Sequence, residues 1–382
     1  MNDLGSRHLH RSRGLAFIGC ILLPGVAQAH VKWFCGPIDG SLPPAPLWQV
    51  LSPLYFTCLV GFAALVAVGG GCDALIARFM PGSATVSPRS DIIVDVLVRV
   101  AVAVYAVCLW RDLAVVLWAN DATGSVLTPE MVDKDRLVGL LQLSIAGMVL
   151  VPRLSLLAAA GLLALYAIGV ERFSLFYMID YLFFVGLAVY IALGQPLLRH
   201  RLDLMSWRVS ILTGSLSLSL LWTAVEKFLF PQWTIAVLLH HPGVTAGFPF
   251  PSVATIAGFV EFSLAFYLLV GRALLVRVAA VIFSFVFIMA MPEFGMVDVV
   301  GHIPVLVIFA ATLLQGETRL QRSFRGPVSS ISGSAASVMV RYVVVLATLM
   351  SFYYGLHAVS VWADGKPVHV SLPSPASARP SQ

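Results

Sequence analysis

Ten runs of apolar residues, each long enough to span a lipid bilayer, follow one another along this chain with little sequence between them. About 20 predominantly apolar residues cross a bilayer as an α-helix, and backbone placed in hydrocarbon must satisfy its own hydrogen bonds. The runs cover residues 48–71, 92–118, 137–151, 154–170, 174–193, 207–230, 252–270, 273–291, 299–315 and 338–362. The fold this predicts is all-α, a polytopic transmembrane helical bundle. Composition closes the water-soluble alternative: only 11% of residues are charged and 59% are hydrophobic, whereas soluble domains carry about 25% charged residues. The net charge of +5 is small and scattered over loops, which excludes a nucleic-acid surface and leaves the lipid bilayer as the principal partner.

The ends of the chain read differently. Residues 1–29 have a basic start (RHLHRSR), an apolar core (GLAFIGCILLPGV) and the small-residue end Ala27-Gln28-Ala29, the parts of a secretory signal peptide. Cleavage there makes His30 the mature N-terminus. Residues 30–91 then hold a periplasmic segment and the first span, 92–195 a first four-helix unit, and 196–316 a second. Residues 317–362 form a cytoplasmic loop and the last span, and the Ser/Pro-rich residues 363–382 a disordered periplasmic tail. The arginines of alternate loops, among them Arg78, Arg89, Arg153, Arg199, Arg201, Arg208, Arg272, Arg319 and Arg322, put those loops inside. Both mature termini then lie in the periplasm, with the chain in a bacterial inner membrane. Pro152-Arg153 predicts a tight hairpin between two spans, and Gly69-Gly70-Gly71 a helix stop. The five cysteines contain no CxxC spacing and imply no disulfide framework.

The two four-helix units align with each other. LQLSIAGMVLVPRLSLLAAAG, from Leu141, lies over VEFSLAFYLLVGRALLVRVAA, from Val260. Gln142 falls on Glu261, Arg153 on Arg272 and Asp180 on Asp298, at a near-constant offset of about 119 residues. Both units start from the same side, which predicts a parallel duplication about an axis along the membrane normal.

Within residues 207–316, AVEKFLFPQW and the Glu-led, Leu-rich run into Gly-Arg resemble the DoxX-like family of small four-helix membrane proteins. Lys227, Pro231, Glu261, Gly271 and Arg272 match that pattern, and the first unit matches it weakly. The resemblance implies two parallel four-helix DoxX-like repeats. It also implies a membrane setting associated in some members with thiosulfate:quinone and quinol chemistry, quinone being the cofactor this points to.

The candidate site residues are the ionisable groups that hydrocarbon tolerates worst. Glu226 and Lys227 end their span and, as neighbours on a helix, cannot pair with each other. They read either as an interfacial anchor, with Lys227 snorkelling to water, or as part of a polar site. Glu261 lies deep in its helix, and Lys227 on the preceding antiparallel helix is its nearest partner in sequence. Asp298 and His302, at i and i+4, read either as a carboxylate-oriented imidazole or as a capping aspartate beside an interfacial histidine. His30, His240 and His241 fall on the outer side and offer imidazole and a free amine for copper, although adjacent histidines point apart on regular structure. Asp95 and Arg99, also i and i+4, form an expected pair within a helix. HExxH, GxSxG and GxxxxGK[ST] motifs are absent, so the chain brings no complete active site of a familiar kind. Three functions fit: a membrane subunit or partner in periplasmic, quinone-linked redox or stress chemistry; a copper-handling protein that works with a metal or redox partner; and a proton-coupled transporter.

Overall fold

The computed structural model describes Lys32 and residues 38–39, 42–79, 88–118, 124–128, 130–133, 135–196, 202–324, 331–364 and 369–370. The expected leader, His30 and His200 lie outside the described residues. The long helices are α1 (Pro53–Phe79), α2 (Pro88–Trp118), α3 (Arg136–Leu150), α4 (Ser155–Phe173) and α5 (Leu175–Leu193). They continue with α6 (Arg208–Leu229), the short α7 (Pro231–His240), α8 (Phe250–Val270), α9 (Ala273–Phe294) and α10 (Met296–Gln315). The short α11 (Arg319–Ser323) and the long α12 (Ile331–Asp364) complete the set.

Among the described residues nine helices are long and apolar enough to cross a membrane, and α3, at 15 residues, is the shorter apolar one. Each of the ten predicted runs therefore has its helix, and the chain is a multi-pass membrane protein. The lipid-facing side is evident on α1, where Val60, Leu65 and Val68 are exposed while Tyr55, Ala63 and Val66 are buried. Apolar exposure along the length of a helix has no place in water.

The packing follows from side-chain size. α6 is the most enclosed span, with 78% of its apolar window buried, and α12 the least, with 17%. The sequence of α6 explains its central place, because Ser210, Thr213, Gly214, Ser217, Ser219 and Thr223 keep its surface small. Without a hydrophobic drive between helices in lipid, small residues and interhelical hydrogen bonds hold them together. The Thr213 and Thr312 hydroxyls meet at 3.1 Å between α6 and α10, and Ser219 Oγ accepts from the Phe183 amide of α5 at 3.1 Å. Helix α2 packs on α3 and α10, α6 on α5 and α8, and α1 on α12 and α8. The first helix of each unit thus lies against the last helix of the other.

Three expectations are corrected. The triplet Gly69-Gly70-Gly71 does not stop a helix but lies inside α1. Its glycines admit close neighbours: a Cβ at Gly69 would collide with the Tyr267 hydroxyl, which donates to Val66 O at 2.9 Å. The segment before the first span is not simply a loop, since Lys32 is buried and Ala45 N donates to Leu229 O at 2.7 Å. The tail is not structureless throughout, because His369–Val370 (β4) pairs antiparallel with Ile38–Asp39 (β1). A second two-residue ribbon joins Gly124–Ser125 (β2) to Val132–Asp133 (β3). The Pro152-Arg153 hairpin is present as a 3-10 turn, Pro152–Leu154.

Candidate functional site

Six ionisable side chains gather inside the bundle at the end where α5 and α8 begin and α6 finishes. They are Lys32, Glu130, Asp180, Glu226, Lys227 and Glu261, none more than 4% exposed. Each arrives for a local reason. Leu175–Leu193 is interrupted by a 3-10 turn, Ile179–Tyr181, which carries Asp180. Such turns inside helices accompany strain or function. Glu226 and Lys227 occupy successive positions on the last turn of α6 and so face different neighbours.

Lys32 Nζ lies 2.5 Å from Asp180 Oδ2 and 2.7 Å from Glu226 Oε2, bridging α5 to α6. Tyr353 of α12 donates its hydroxyl to the same Glu226 Oε2 at 3.1 Å. Lys227 Nζ meets Glu261 Oε2 at 2.7 Å, joining α6 to α8. The pairing of Lys227 with Glu261 follows the sequence reading. The alternative in which Lys227 snorkels to water is overturned by its burial, at 3% exposure.

Aromatic rings enclose this cluster. Lys32 Nζ sits 4.5 Å from the Tyr177 ring centre and 5.3 Å from that of Trp233, within cation–π range. Trp233 is placed by α7, a helix the hydropathy pattern does not reveal. Pro231 at its first turn, a favoured position for proline, starts a new helix after Phe230 leaves helical geometry. Trp233 then stacks on Phe230 at 4.3 Å. Trp222 and Tyr353 stack at 4.4 Å on the neighbouring side.

Glu130 enters from the connection between α2 and α3. Sequence alone reads it as an acid of an outer loop, yet it is 1% exposed. Its Oε1 accepts from the Tyr177 hydroxyl at 3.3 Å and also from the Tyr181 hydroxyl. The connection is tied down by Gln142, whose Nε2 donates to Ser125 O at 2.7 Å and Val126 O at 2.8 Å. Tyr105 adds a hydroxyl bond to Leu127 O at 2.6 Å. Gln142 and Glu261, which align in sequence, therefore do different work: one anchors a loop, the other holds a lysine.

Burial raises the Glu130 carboxyl above its usual range, and the Tyr181 bond and the Lys32 charge only partly offset this. A folded value above the unfolded one means that the native protein binds more protons, so this group costs stability as pH rises from about 4.3. Glu130→Gln is therefore expected to melt higher than wild type at neutral pH, with the gap closing as pH falls toward about 4.3. A variant that melts lower at every pH would mean that the ionised carboxylate is worth more than its burial costs.

Asp298 and His302 form a separate buried pair. His302 Nδ1 lies 3.2 Å from Asp298 Oδ1 and 2.9 Å from Asp298 O, and its ring stacks on Phe287 at 4.6 Å. The cap of α10 is Gly295, and Asp298 sits in the first turn facing inward, so the capping reading gives way to a carboxylate-oriented imidazole. His240 and His241 diverge. His240 Nδ1 lies 2.8 Å from Ala236 O, and His241 Nδ1 2.6 Å from Glu293 Oε1. Among the described residues no group of three or more His, Cys, Asp or Glu is placed to hold a metal ion.

Sequence reasoning missed Lys32, Glu130 and Tyr353 as site residues and met Asp180 only as a repeat match. Lys32 and Asp180 gave one signal, a charge beside an apolar span with no counter-charge close by in sequence, whereas Glu130, four residues from Lys134, gave none. Comparison with family models, with curated proteins and with solved structures returns no match.

Proposed function

We propose that the chain is a DoxX-like multi-pass protein of a bacterial inner membrane, acting as a membrane subunit or partner in periplasmic, quinone-linked redox chemistry. In that role its buried acid cluster stores and passes protons. One observation carries this reading: four buried carboxyls, Glu130, Asp180, Glu226 and Glu261, face two buried ammonium groups, Lys32 and Lys227. Each uncompensated charge in a membrane interior costs at least ~2.5 kcal/mol, so an acid in excess of the ammonium groups favours its protonated form, and Glu130, whose carboxyl burial raises, is the first to hold a proton. Oxidation of a quinol releases two protons with its two electrons and reduction of a quinone takes up the same, and a proton store beside either reaction serves it.

The arginine pattern puts this end of the bundle toward the periplasm. The internal repeat belongs to the same reading, and the reciprocal contacts of α2 with α10 and of α6 with α5 are what two units related by a two-fold axis would make. A second reading, proton-coupled transport, is favoured by the break in α5 at Asp180, since transporter sites form at interrupted helices.

Infrared difference spectroscopy of the reconstituted protein tests the proton store. A protonated-carboxyl C=O band is expected at neutral pH, and Glu130→Gln should remove or shift it. A wild-type protein without that band would end the proposal. Quinone extracted with the purified protein, and reduced in amount by Glu261→Gln, would tie the store to redox chemistry. Proton flux in protein-containing vesicles, lost in Asp180→Asn, would favour transport instead.

A further inference from the structure

We propose that the cavity at the opposite end of the bundle, walled by Arg208, Arg319 and Arg322, binds a phosphate-bearing anion. This rests on different residues from the proton store and stands without it. The cavity has a volume of about 420 Å³, in the range of small-ligand sites. It opens where α2 and α6 begin and α10 ends.

The first wall is fixed by burial. Arg208 opens α6, donates from Nε to Tyr190 O at 3.0 Å, and lies 4.0 Å from the Tyr190 ring centre. It is ion-paired with Asp95, which also receives Arg99 Nε at 2.8 Å. One carboxylate thus serves two guanidinium groups. The second wall is α11, held by the reciprocal capping of Thr318 and Gln321. The Gln321 side chain reaches Leu268 O on α8 at 2.7 Å. Arg319 and Arg322 are three positions apart on that helix and so neighbour each other, and both line the cavity.

Charge balance favours an anion. The two acids of the lining are Asp91, which accepts from Gln315 Nε2 at 2.6 Å, and Glu317. Among the described residues, these two and Asp95 make three carboxylates beside the guanidinium groups of Arg99, Arg208, Arg319 and Arg322. The cations are all guanidinium groups, whose planar forks match two phosphate oxygens at once. Position in the fold points to a source. The cavity lies level with the ends of three spans, where bilayer phosphates sit, and beside Trp207, which is partly exposed as interfacial tryptophans are. A phospholipid headgroup and a soluble phosphate ester share the required chemistry.

The test uses the full-length protein, stripped of lipid in a neutral detergent. Binding of phosphatidylglycerol and phosphatidylcholine is measured by native mass spectrometry, and inorganic phosphate by thermal shift. Each is repeated with Arg319→Gln/Arg322→Gln, which leaves the anchoring Thr318 and Gln321 untouched. The expected result is phosphatidylglycerol held in preference to phosphatidylcholine, weakened about 30-fold by the double substitution. Saturable inorganic phosphate binding with the same arginine dependence, but no lipid preference, would support the site and assign it to a soluble phosphate ester. Binding that the double substitution leaves unchanged, or no binding of either anion, overturns the proposal. If the double variant does not fold, Arg322→Gln alone, at an exposed position, decides by the same readouts.

Discussion

Lys227→Met is expected to destabilise the protein by about 3–5 kcal/mol, the cost typical of breaking a buried ion pair from one side. The pair lies 2–5% exposed at both side chains and is closed at 2.7 Å, so removing the ammonium leaves Glu261 with no cation bonded to it among the described residues. The loss should be of one-sided origin. Lys227→Met combined with Glu261→Met replaces two charges by two apolar side chains of similar volume and should return most of the lost stability, because desolvation of both ions is then avoided. Equilibrium unfolding of the four proteins in mixed micelles measures the cycle. A single variant within about 1 kcal/mol of wild type, the worth of a solvent-exposed pair, would mean that Lys227 reaches water, which its burial argues against.

Lys32→Met should be at least as damaging, since two carboxylates lose the same partner. Asp180 and Glu226 belong to different units of the bundle, and Lys32 is what allows them to approach one another. Its pH behaviour separates an ion pair from mere packing. Burial alone lowers the Lys32 ammonium, but the Asp180 and Glu226 carboxylates outweigh burial and hold it above its usual value. A raised folded value means that the stabilisation is fully present below the unfolded value of about 10.4 and is lost as pH rises through the folded one. The stability difference between wild type and Lys32→Met should therefore stay flat through neutral pH and shrink only beyond about 10.4. A difference that does not change in strong alkali would reduce Lys32 to a space-filling role. Adding Glu226→Gln to Lys32→Met should recover part of the loss, by removing one of the stranded acids.

Such pairs explain why the chain tolerates charges that hydrocarbon disfavours. Lys32 draws α5 and α6 together and Lys227 draws α6 to α8, so the most enclosed helix is clamped on both sides. The serines and threonines of α6 allow that closeness. At Gly186 of α5 the Ser215 side chain of α6 occupies the space a Cβ would need. Any larger residue there would part the two units at the helix pair that carries Asp180 and Glu226. The cluster is thus a product of backbone approach as much as of charge.

What the sequence by itself determined is the set of spans and the two charge pairs within reach of local reasoning. Runs of spanning length force helices wherever they occur, because unpaired backbone is too costly in lipid. All ten runs became helices for that reason. Lys227 and Glu261 could be matched because they lie on consecutive antiparallel spans, which chain connectivity alone places side by side. Asp95 and Arg99 could be matched because they lie one helical turn apart, and they do pair.

Only the tertiary structure decided that Lys32 enters the bundle, that Glu130 is carried inward by its loop, and that Asp180 and Glu226 share one ammonium. It also turned Asp298 from a cap into the partner of His302 and placed α11 so that its arginines face Arg208. These contacts join residues far apart in the chain, and hydropathy, which sums each residue's own preference for lipid, holds no information about pairs. A buried charge is marked by the sequence as costly; which opposite charge compensates it depends on how the helices stack.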